Sequence, residues 1–430
     1  MLLRFSVKNH LSIRDTQELS MVATTLKDRS EGLIANPAQP KDRVLPAALV
    51  WGANASGKSN LVLALAFMKE QVLYSHSRGD PNGGINRNPF ALSAKCRDEP
   101  TEVEADFIVD GVRYNYGFAA NDREFVSEWL YAFPQGKQRK LFERTGPTTI
   151  EFGSSMKGQR QAIADLMRQN SLYLSVSTQN GNQELSAVSK NFSSIYLSNN
   201  LSVLSGEIDA LFVENEIDER IVKFMAVLNS DMVSISKNKR HISQEDKKYS
   251  DSYLKFVSEN TIPAAKVEKF YEMANRAFNQ QVGFTHRNQD GDEIFFGLER
   301  ESAGTRRLIL ILHRCFEALD SGTLLVIDEI DVSLHTQACE AILYLFSDPK
   351  INTKGAQLIA TTHDTNLLRS PYLRRDQIWL TEKNAGGATE LYSLADIKTR
   401  SEDNFELGYL QGRYGAVPFT GPVSDLFAAI

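Results

Sequence analysis

A glycine-rich segment that ends in a lysine and a serine is the part of this 430-residue sequence with the clearest capacity for chemistry. Its residues are Gly52, Ala53, Asn54, Ala55, Ser56, Gly57, Lys58 and Ser59, and Asn60, which follows them, is a further candidate for nucleotide binding. Small residues let the backbone curl so that its N–H groups converge on phosphate oxygens above the start of a helix. We predict that Lys58 neutralises the β and γ phosphates of a nucleoside triphosphate and that the Ser59 hydroxyl ligates Mg²⁺. The alternative is a simple glycine-rich turn, which the predicted strand before the segment and the helix after it disfavour.

Two acids follow a second apolar run, Leu324–Ile327, where a buried strand would normally end in a turn residue. A carboxylate at the carboxyl end of a strand can meet Mg²⁺ from the side opposite Ser59, and this gives Asp328 its predicted role. Glu329 is then the natural base for the attacking water. The alternative is that both acids cap the next segment, and the phosphate loop elsewhere in the chain argues against it.

Two further segments offer groups for the same phosphates. Ser302 and Gly304 open an amphipathic helix, where free backbone donors can form a second anion site, although serine is also an ordinary helix cap. His363 ends a predicted strand and could donate a hydrogen bond to the γ-phosphate and report its loss. The separation of His363 from Asp328, 363 − 328 = 35 residues, leaves room for one helix over Thr336–Phe346.

Hydrophobic patterning places the elements that must hold these groups. The apolar run Ala47–Trp51 leads into the glycine-rich segment and then into Asn60–Leu73, whose Leu and Ala content predicts a buried helix. Strand, helix, strand, helix and strand alternate after residue 290, which is typical of parallel α/β structure.

Antiparallel structure is predicted for much of the first third of the chain. Residues 2–7 and 18–22 have strand patterns, and Asp110-Gly111 between alternating segments is a two-residue hairpin signal. The antiparallel patch continues through Lys140–Arg144 and Thr149–Phe152.

The middle of the sequence, residues 160–280, has mainly helical patterning. One apolar stripe runs through Ile217, Ile221, Phe224, Met225 and Leu228, and another through Val267, Phe270, Tyr271, Ala274 and Phe278. The polar segment Ser236–Ser250 between them is predicted to be a loop. We therefore predict an N-terminal lobe over 1–159, a helical insertion over 160–285 and a C-terminal lobe over 286–430.

The amino-acid composition of the chain excludes several classes of protein. The hydrophobic content of 42% supports a sizeable core, and three unclustered cysteines suggest neither a disulfide framework nor a zinc site. No apolar run approaches the about 20 residues of a membrane span, and the first residues do not resemble a secretion signal, so a cytoplasmic protein is expected.

The net charge of −6 argues against a uniformly basic nucleic-acid surface, so DNA contact has to be sought locally. The candidate DNA-contact residues are Lys137, Arg139, Lys140 and Arg144, then Lys237, Lys239 and Arg240. The alternative for both clusters is a solvated charged loop.

The order of the motifs resembles the ABC ATPase head, and more closely the branch with SMC, Rad50 and RecF-like proteins. Gly52–Asn60 resembles that branch's phosphate loop, Glu301–Thr305 its divergent signature motif, and His363 its switch histidine. The segments Leu3–Asn9, Glu301–Arg307 and Gly412–Pro418 are similar to the AAA15/AAA21 subgroup of abortive-infection and anti-phage systems. His335 departs from the pattern, because many relatives carry an aspartate there in the D-loop.

The resemblance implies an α/β fold: an ABC ATPase head with a mixed or parallel sheet, an antiparallel β subdomain and a helical insertion. It implies hydrolysis of ATP with Mg²⁺, and a head-to-tail homodimer or larger homo-oligomer in which Ser302 and Gly304 of one subunit close over ATP held by the other. It also implies a nuclease or toxin effector encoded nearby, and sensing of DNA or a phage product.

Three other functions are alternatives to this hypothesis. A stand-alone RecF-like DNA-repair clamp is the main alternative, whereas a Rad50 relative is disfavoured by the lack of sustained heptads and of a Cys-x-x-Cys hook. A scaffold that binds ATP without hydrolysing it fits poorly with the presence of Glu329 and His363. A transporter subunit fits least, because the helical insertion and the tail after His363 have no role beneath membrane domains.

Overall fold

The computed structural model describes residues 1–198, 212, 216–228, 232–239 and 280–417. Contacts divide the chain into two compact units, described separately below. The first unit comprises Met1–Asn200, Ala318–Asp331 and Cys339–Ile430, and the second comprises Leu201–Glu317 and Val332–Ala338. The predicted boundaries at 159 and 285 differ from this division and stay a prediction. No helix within the described ranges is long and apolar enough to cross a membrane.

The described residues form the following strands and α-helices. The strands are β1 Leu2–Lys8, β2 Gln17–Ser20, β3 Ile34–Ala35, β4 Arg43–Val44, β5 Ala47–Gly52, β6 Thr101–Val109, β7 Val112–Ala120, β8 Phe125–Phe133, β9 Arg139–Thr145, β10 Thr149–Phe152, β11 Tyr196–Ser198, β12 Met232–Lys239, β13 Gln280–Arg287, β14 Glu293–Gly297, β15 Leu324–Ile327, β16 Gln357–Thr361, β17 Ile378–Lys383 and β18 Thr389–Ser393. The α-helices are α1 Lys58–Tyr74, α2 Ala94–Asp98, α3 Arg160–Ala164, α4 Tyr173–Gln179, α5 Gln183–Ser193, α6 Glu219–Leu228, α7 Ala303–Ser321, α8 Thr336–Ser347 and α9 Phe405–Leu410.

A six-stranded sheet in the first unit carries the predicted phosphate-loop strand. Its order is β11-β15-β16-β5-β17-β18, and the pairings are parallel except for β17 with β18. Strands β5, β15 and β16 are buried along their whole length, which explains their continuous apolar sequences. This sheet confirms the predicted α/β fold with a mixed sheet, and it brings the carboxyl ends of three parallel strands to one edge.

A seven-stranded antiparallel sheet, in the order β10-β9-β8-β7-β6-β1-β2, forms the other large layer of the first unit. Asp110 and Gly111 join β6 to β7 with φ angles of 50° and 77°, the left-handed pair that a two-residue hairpin of type I′ requires. The predicted hairpin and the strands over Lys140–Arg144 and Thr149–Phe152 are confirmed.

Helix α1 belongs to the core that the two sheets share. Leu61 and Leu65 of α1 line one small cavity with Phe5 of β1, Val326 of β15 and Ile359 of β16. The same hydrophobic cluster takes in α4 and α5. Burial of this helix therefore follows from its dense Leu and Ala content, and its packing fixes the position of the loop that precedes it.

The second unit contains the three-stranded antiparallel sheet β12-β13-β14 and helix α6. The helix confirms the predicted stripe that includes Ile221 and Met225, both of which are buried. One expectation was wrong here: Ser236–Lys239 is strand and not loop, because it pairs with β13 through Lys237 opposite Val282. The rest of the predicted loop and the stripe that includes Val267 lie outside the described residues.

His10 gives the first unit a testable response to pH. Its side chain is buried and stacks on Phe67 with ring centroids 5.3 Å apart, and burial lowers the pKa of His10 to about 4. The unfolded chain takes up a proton near pH 6.5 but the folded chain does not, so stability is lost as the pH falls below 6.5 towards 4. We expect His10→Gln to reduce the slope of the unfolding free energy against pH by up to about 1.4 kcal/mol per pH unit. Urea denaturation between pH 7 and 5.5 measures it, and identical slopes would contradict a buried neutral His10.

Candidate nucleotide-binding site

The glycine-rich segment forms a tight loop between β5 and α1. Ala55 and Gly57 have φ angles of 63° and 113°, and Gly57 is the residue before the helix. A Cβ on Gly57 would lie 2.1 Å from Thr389 Oγ1, so both the backbone conformation and the space require glycine there. Lys58 Nζ turns back over the loop and donates to the carbonyl oxygens of Gly52, at 2.9 Å, and Ala53, at 3.2 Å.

Hydroxyl groups of three other segments also hold the loop. Ser56 Oγ and Thr381 Oγ1 are 2.7 Å apart, and Thr389 Oγ1 donates to the Ser56 carbonyl at 2.7 Å. Ser12 Oγ lies 2.7 Å from Thr389 Oγ1 and accepts from Asn60 Nδ2 at 2.5 Å. Sequence analysis named Ser56 and Asn60 but missed Ser12, Thr381 and Thr389, which no motif signals.

Removing one of these hydroxyls tests whether they set the shape of the loop. Thr389→Val keeps the side-chain shape but removes the donor to the Ser56 carbonyl and leaves Ser12 Oγ with only Asn60 as a partner. Loss of a buried hydrogen-bond partner costs about 1–3 kcal/mol. We expect lower stability to urea and about tenfold weaker nucleotide binding. Thr149→Val, at an exposed position on β10, is the matched control and should change neither. Unchanged binding in Thr389→Val would show that the loop does not depend on this hydroxyl.

The two predicted acids follow β15 at the carboxyl edge of the sheet. Asp328 Oδ1 accepts from Ser59 Oγ at 3.2 Å and from Thr361 Oγ1 at 2.6 Å. Thr361 Oγ1 also accepts from the backbone N–H of Glu329 at 2.7 Å, and Glu329 has φ 52°. One threonine thus positions both acids, and it is a further residue that sequence analysis missed.

The oxygens of Ser59 and Asp328 fit a shared Mg²⁺. Neighbouring ligands of an octahedral ion with bonds of about 2.1 Å are separated by about 3 Å, close to the 3.2 Å between these two atoms. Both are hard oxygen donors, the class that Mg²⁺ selects. The chemistry and spacing of this pair are therefore suited to the ion.

The surroundings of Lys58 affect its pKa in opposite directions. Burial lowers the pKa of Lys58, whereas the nearby carboxylates of Glu329, Asp328 and Asp331 raise it. The ammonium group of Lys58 is desolvated, and its own loop offers it only neutral carbonyl oxygens as acceptors. A charged phosphate oxygen is a stronger acceptor, so a phosphate ligand would stabilise this group.

His363 lies two residues after β16, the strand that pairs with β15 beside the acids. Its backbone N–H donates to both carboxylate oxygens of Asp331 at 3.2 Å, and its side chain is exposed. Asp331 was missed in the sequence, although its position three residues after Asp328 was a usable signal. It couples the segment after β15 to the segment after β16.

The predicted signature residues lie in the second unit. Ser302 Oγ accepts from Thr305 N–H at 3.0 Å, so Ser302 does cap α7. A Cβ on Gly304 would lie 2.3 Å from the Ser333 carbonyl oxygen, which shows how closely the two segments approach. Ser302, Gly304 and His335 line one cavity of about 340 Å³.

The structure corrects one predicted DNA contact. Arg144 is buried, and its guanidinium donates to the carbonyl oxygens of Ser171 and Pro147 at 2.7 and 2.6 Å. It therefore cannot contact a phosphate backbone, and it is not in a solvated loop either. Its burial was not predicted because its strand neighbours are polar.

The other basic candidates differ in their surroundings. Arg139 pairs with Glu184, and Lys140 lies within 3.0 Å of Glu143 and Glu151. Lys137 is exposed in a turn before β9. Lys237 and Lys239 belong to β12, and Arg240 lies outside the described residues. DNA contact at these positions stays a prediction.

The parallel sheet, the phosphate loop and the paired acids define the class of ABC/SMC-like P-loop ATPases. Within it, a family model described as "AAA domain, putative AbiEii toxin, Type IV TA system" matches residues 48–369. The chain belongs to this AAA21 family, which confirms the resemblance found in the sequence.

Two solved structures and one negative result complete the comparisons. An SMC head domain from Thermotoga maritima shares 14% identity at a TM-score of 0.38, with 91% of this chain and 98% of that chain covered. An SMC head bound to the C-winged helix domain of ScpA shares 14% identity at a TM-score of 0.35, with 91% and 97% covered. No curated protein sequence matches the chain.

Proposed function

We propose that this protein binds ATP with Mg²⁺ in the loop around Lys58 and hydrolyses it. The observation that carries the proposal is the convergence of Lys58, Ser59 and Asp328, which come from two distant parts of the chain, at one carboxyl edge of the sheet. Loop amides receive the phosphates, and Lys58 exchanges its loop carbonyls for β- and γ-phosphate oxygens.

Each remaining group has a distinct task in the proposed reaction. Ser59 and Asp328 would hold Mg²⁺, which when bound would supply positive charge to offset the negative charge that develops on the phosphates. The carboxylate of Glu329 accepts a proton from the attacking water, and Thr361 keeps that acid beside Asp328. His363 donates to the γ-phosphate. Because His363 also contacts Asp331, loss of the γ-phosphate is transmitted to the segment after β15.

The proposed assembly is a head-to-tail homodimer or larger oligomer, in which Ser302 and Gly304 of one copy close over ATP held by another. The proposal extends to control of a partner effector, a nuclease or toxin, in anti-phage defence that responds to DNA or a phage product. The family description, which names a putative AbiEii toxin, supports this part. A cytoplasmic location is also proposed, and the free thiols of Cys96, Cys315 and Cys339 are consistent with it.

Nucleotide binding by a Lys58→Ala variant tests the core of the proposal. We expect at least tenfold weaker binding of ATP with Mg²⁺, measured by titration of a fluorescent ATP analogue and competition with ATP. Lys95→Ala removes an exposed lysine and is the matched control. Equal affinity in both variants would rule out the assigned loop.

Association with the product of a neighbouring gene tests the effector part. Co-purification of the two proteins with ATP, with ADP and with no nucleotide should give nucleotide-dependent recovery or nucleotide-dependent effector activity. DNA-stimulated ATP turnover without any partner, and no nucleotide dependence of association, would instead favour the RecF-like alternative.

A further inference from the structure

A fully buried tryptophan stands directly before the phosphate loop. The indole N–H of a buried tryptophan usually has a hydrogen-bond partner, and Trp51 Nε1 donates to the backbone carbonyl oxygen of Asp364 at 2.9 Å. The neighbouring Val50 carbonyl accepts from the backbone N–H of Thr362 at 3.0 Å. The strand that leads into the loop is therefore attached to the chain on both sides of His363.

Hydrogen bonds hold the backbone around His363 one peptide group at a time. The N–H of His363 donates to the carboxylate of Asp331 at 3.2 Å, and the N–H of Asp364 donates to Thr362 Oγ1 at 3.0 Å. Trp51 holds the next peptide group through the Asp364 carbonyl. Three consecutive peptide groups are thus hydrogen-bonded, and the exposed ring of His363 keeps rotation about its side-chain bonds as its main freedom.

The bond from Trp51 controls a spacing that the proposed reaction needs. The phosphates are proposed to lie on the loop over residues 52–59, whereas their donor His363 belongs to residues 362–364, here called the switch segment. A catalytic group loses much of its effect when it is displaced by about 1 Å. Because Trp51 and Gly52 share β5, the indole sets the spacing between the loop strand and the switch segment.

A second buried tryptophan provides a comparison on the neighbouring strand. Trp379 of β17 lies opposite Val50 of β5, so Trp51 and Trp379 belong to two strands that pair in parallel beside the phosphate loop. Trp379 Nε1 has no hydrogen-bond partner among the residues that the structure describes. Its replacement changes a buried ring without breaking such a bond, which makes it a matched control for Trp51.

We propose that Trp51 is a positioning residue for ATP hydrolysis: its indole N–H holds the switch segment against the phosphate-loop strand so that His363 reaches the γ-phosphate. This inference rests on the proposed function, because it needs ATP in the loop and His363 as a γ-phosphate donor. It accounts for a tryptophan, and not another apolar residue, at the end of a buried strand.

Trp51→Phe removes the indole N–H and keeps an aromatic ring in β5. We expect kcat to fall about tenfold, the effect of losing one buried hydrogen bond, with KM for ATP within about twofold, because Lys58 and the Mg²⁺ ligands are retained. Trp379→Phe should keep the wild-type kcat. Equal kcat in the two variants, or a raised KM with unchanged kcat in Trp51→Phe, would overturn the proposal.

A tryptophan analogue separates the N–H from the bulk of the ring, because phenylalanine also leaves part of the indole space empty. β-(3-Benzothienyl)alanine, introduced at position 51 by suppression of an amber codon, has sulfur in place of N–H and keeps the two-ring shape. It should lower kcat as Trp51→Phe does, with a smaller loss of melting temperature. Wild-type kcat in this protein would overturn the proposal.

Combination with His363→Ala tests whether Trp51 acts through His363. If it does, Trp51→Phe should lower kcat about tenfold in the wild type and by less than about twofold in the His363→Ala background. An equal loss in both backgrounds would show that Trp51 acts on the loop itself, and would overturn the proposal.

Failure of this inference is distinguishable from failure of the proposed function. If His363→Ala lowers kcat and Trp51→Phe does not, the inference about Trp51 fails while the proposed role of His363 stands. If His363→Ala keeps the wild-type kcat, the proposed role of His363 fails and the inference fails with it. Nucleotide binding by Lys58→Ala tests the loop independently of both outcomes.

Discussion

Glu329→Gln should bind ATP as tightly as the wild type and hydrolyse it about 10²–10⁴-fold more slowly, the usual contribution of a general base. Glutamine has the same shape but cannot accept the proton of the attacking water. The backbone N–H of Glu329 donates to Thr361 Oγ1, and the substitution keeps this hydrogen bond. Asp328 keeps its hydrogen bonds to Ser59 and Thr361 as well.

Phosphate release measures the rate, and size-exclusion chromatography with ATP and Mg²⁺ measures assembly. Because ATP stays uncleaved, the variant should accumulate as a closed dimer in the presence of ATP and revert with ADP. Glu70→Gln, an exposed position on α1, is the matched control and should retain wild-type turnover. Normal turnover in Glu329→Gln would show that another group is the base, and slow turnover without dimerisation would contradict the proposed assembly.

Short-range patterns were sufficient to predict the phosphate loop, the acids and their supporting elements. The strand before Gly52, the helix after Lys58 and the strand before Asp328 each depend on residues adjacent in sequence, so hydrophobic runs and turn residues define them. The hairpin at Asp110 and Gly111 was predictable for the same reason, because only a few residue types favour the left-handed backbone there.

Contacts between distant segments could not be predicted in this way. Ser56 meets Thr381 and Thr389 across 325 and 333 residues, and a threonine in a strand is too common to signal a role. Arg144 was mistaken for a surface residue because nothing local reveals that Glu128 lies opposite it. The strand at Ser236–Lys239 was missed because its pairing with β13 uses backbone groups that polar side chains do not reveal.

The pair formed by Glu128 and Arg144 should be the most sensitive part of the fold. The two residues lie opposite each other on β8 and β9, and neither side chain is exposed to solvent. Glu128 accepts from the backbone N–H groups of Tyr173 and Leu174, at 2.7 and 3.0 Å, and from Tyr116 Oη at 3.0 Å. Burial raises the pKa of the Glu128 carboxyl, while Arg144 and these donors oppose that shift.

Glu128→Ala should lower the free energy of unfolding by about 3–5 kcal/mol, because it leaves the Arg144 guanidinium buried without a counter-charge. Urea denaturation measures the loss. Glu143→Ala removes a partly exposed acid that pairs with Lys140 on the same sheet, and should cost only about 0–1 kcal/mol.

Replacing both Glu128 and Arg144 tests which interaction accounts for the lost free energy of unfolding. A Glu128→Met and Arg144→Met double variant has no unpaired charge, although it still abandons the backbone donors of α4 and the carbonyl acceptors that Arg144 serves. If the uncompensated charge dominates, the double variant should be more stable than Glu128→Ala. If it is less stable, the hydrogen bonds from Arg144 to the carbonyl oxygens of Ser171 and Pro147 are the larger contribution, because the bonds of Glu128 are lost in both variants.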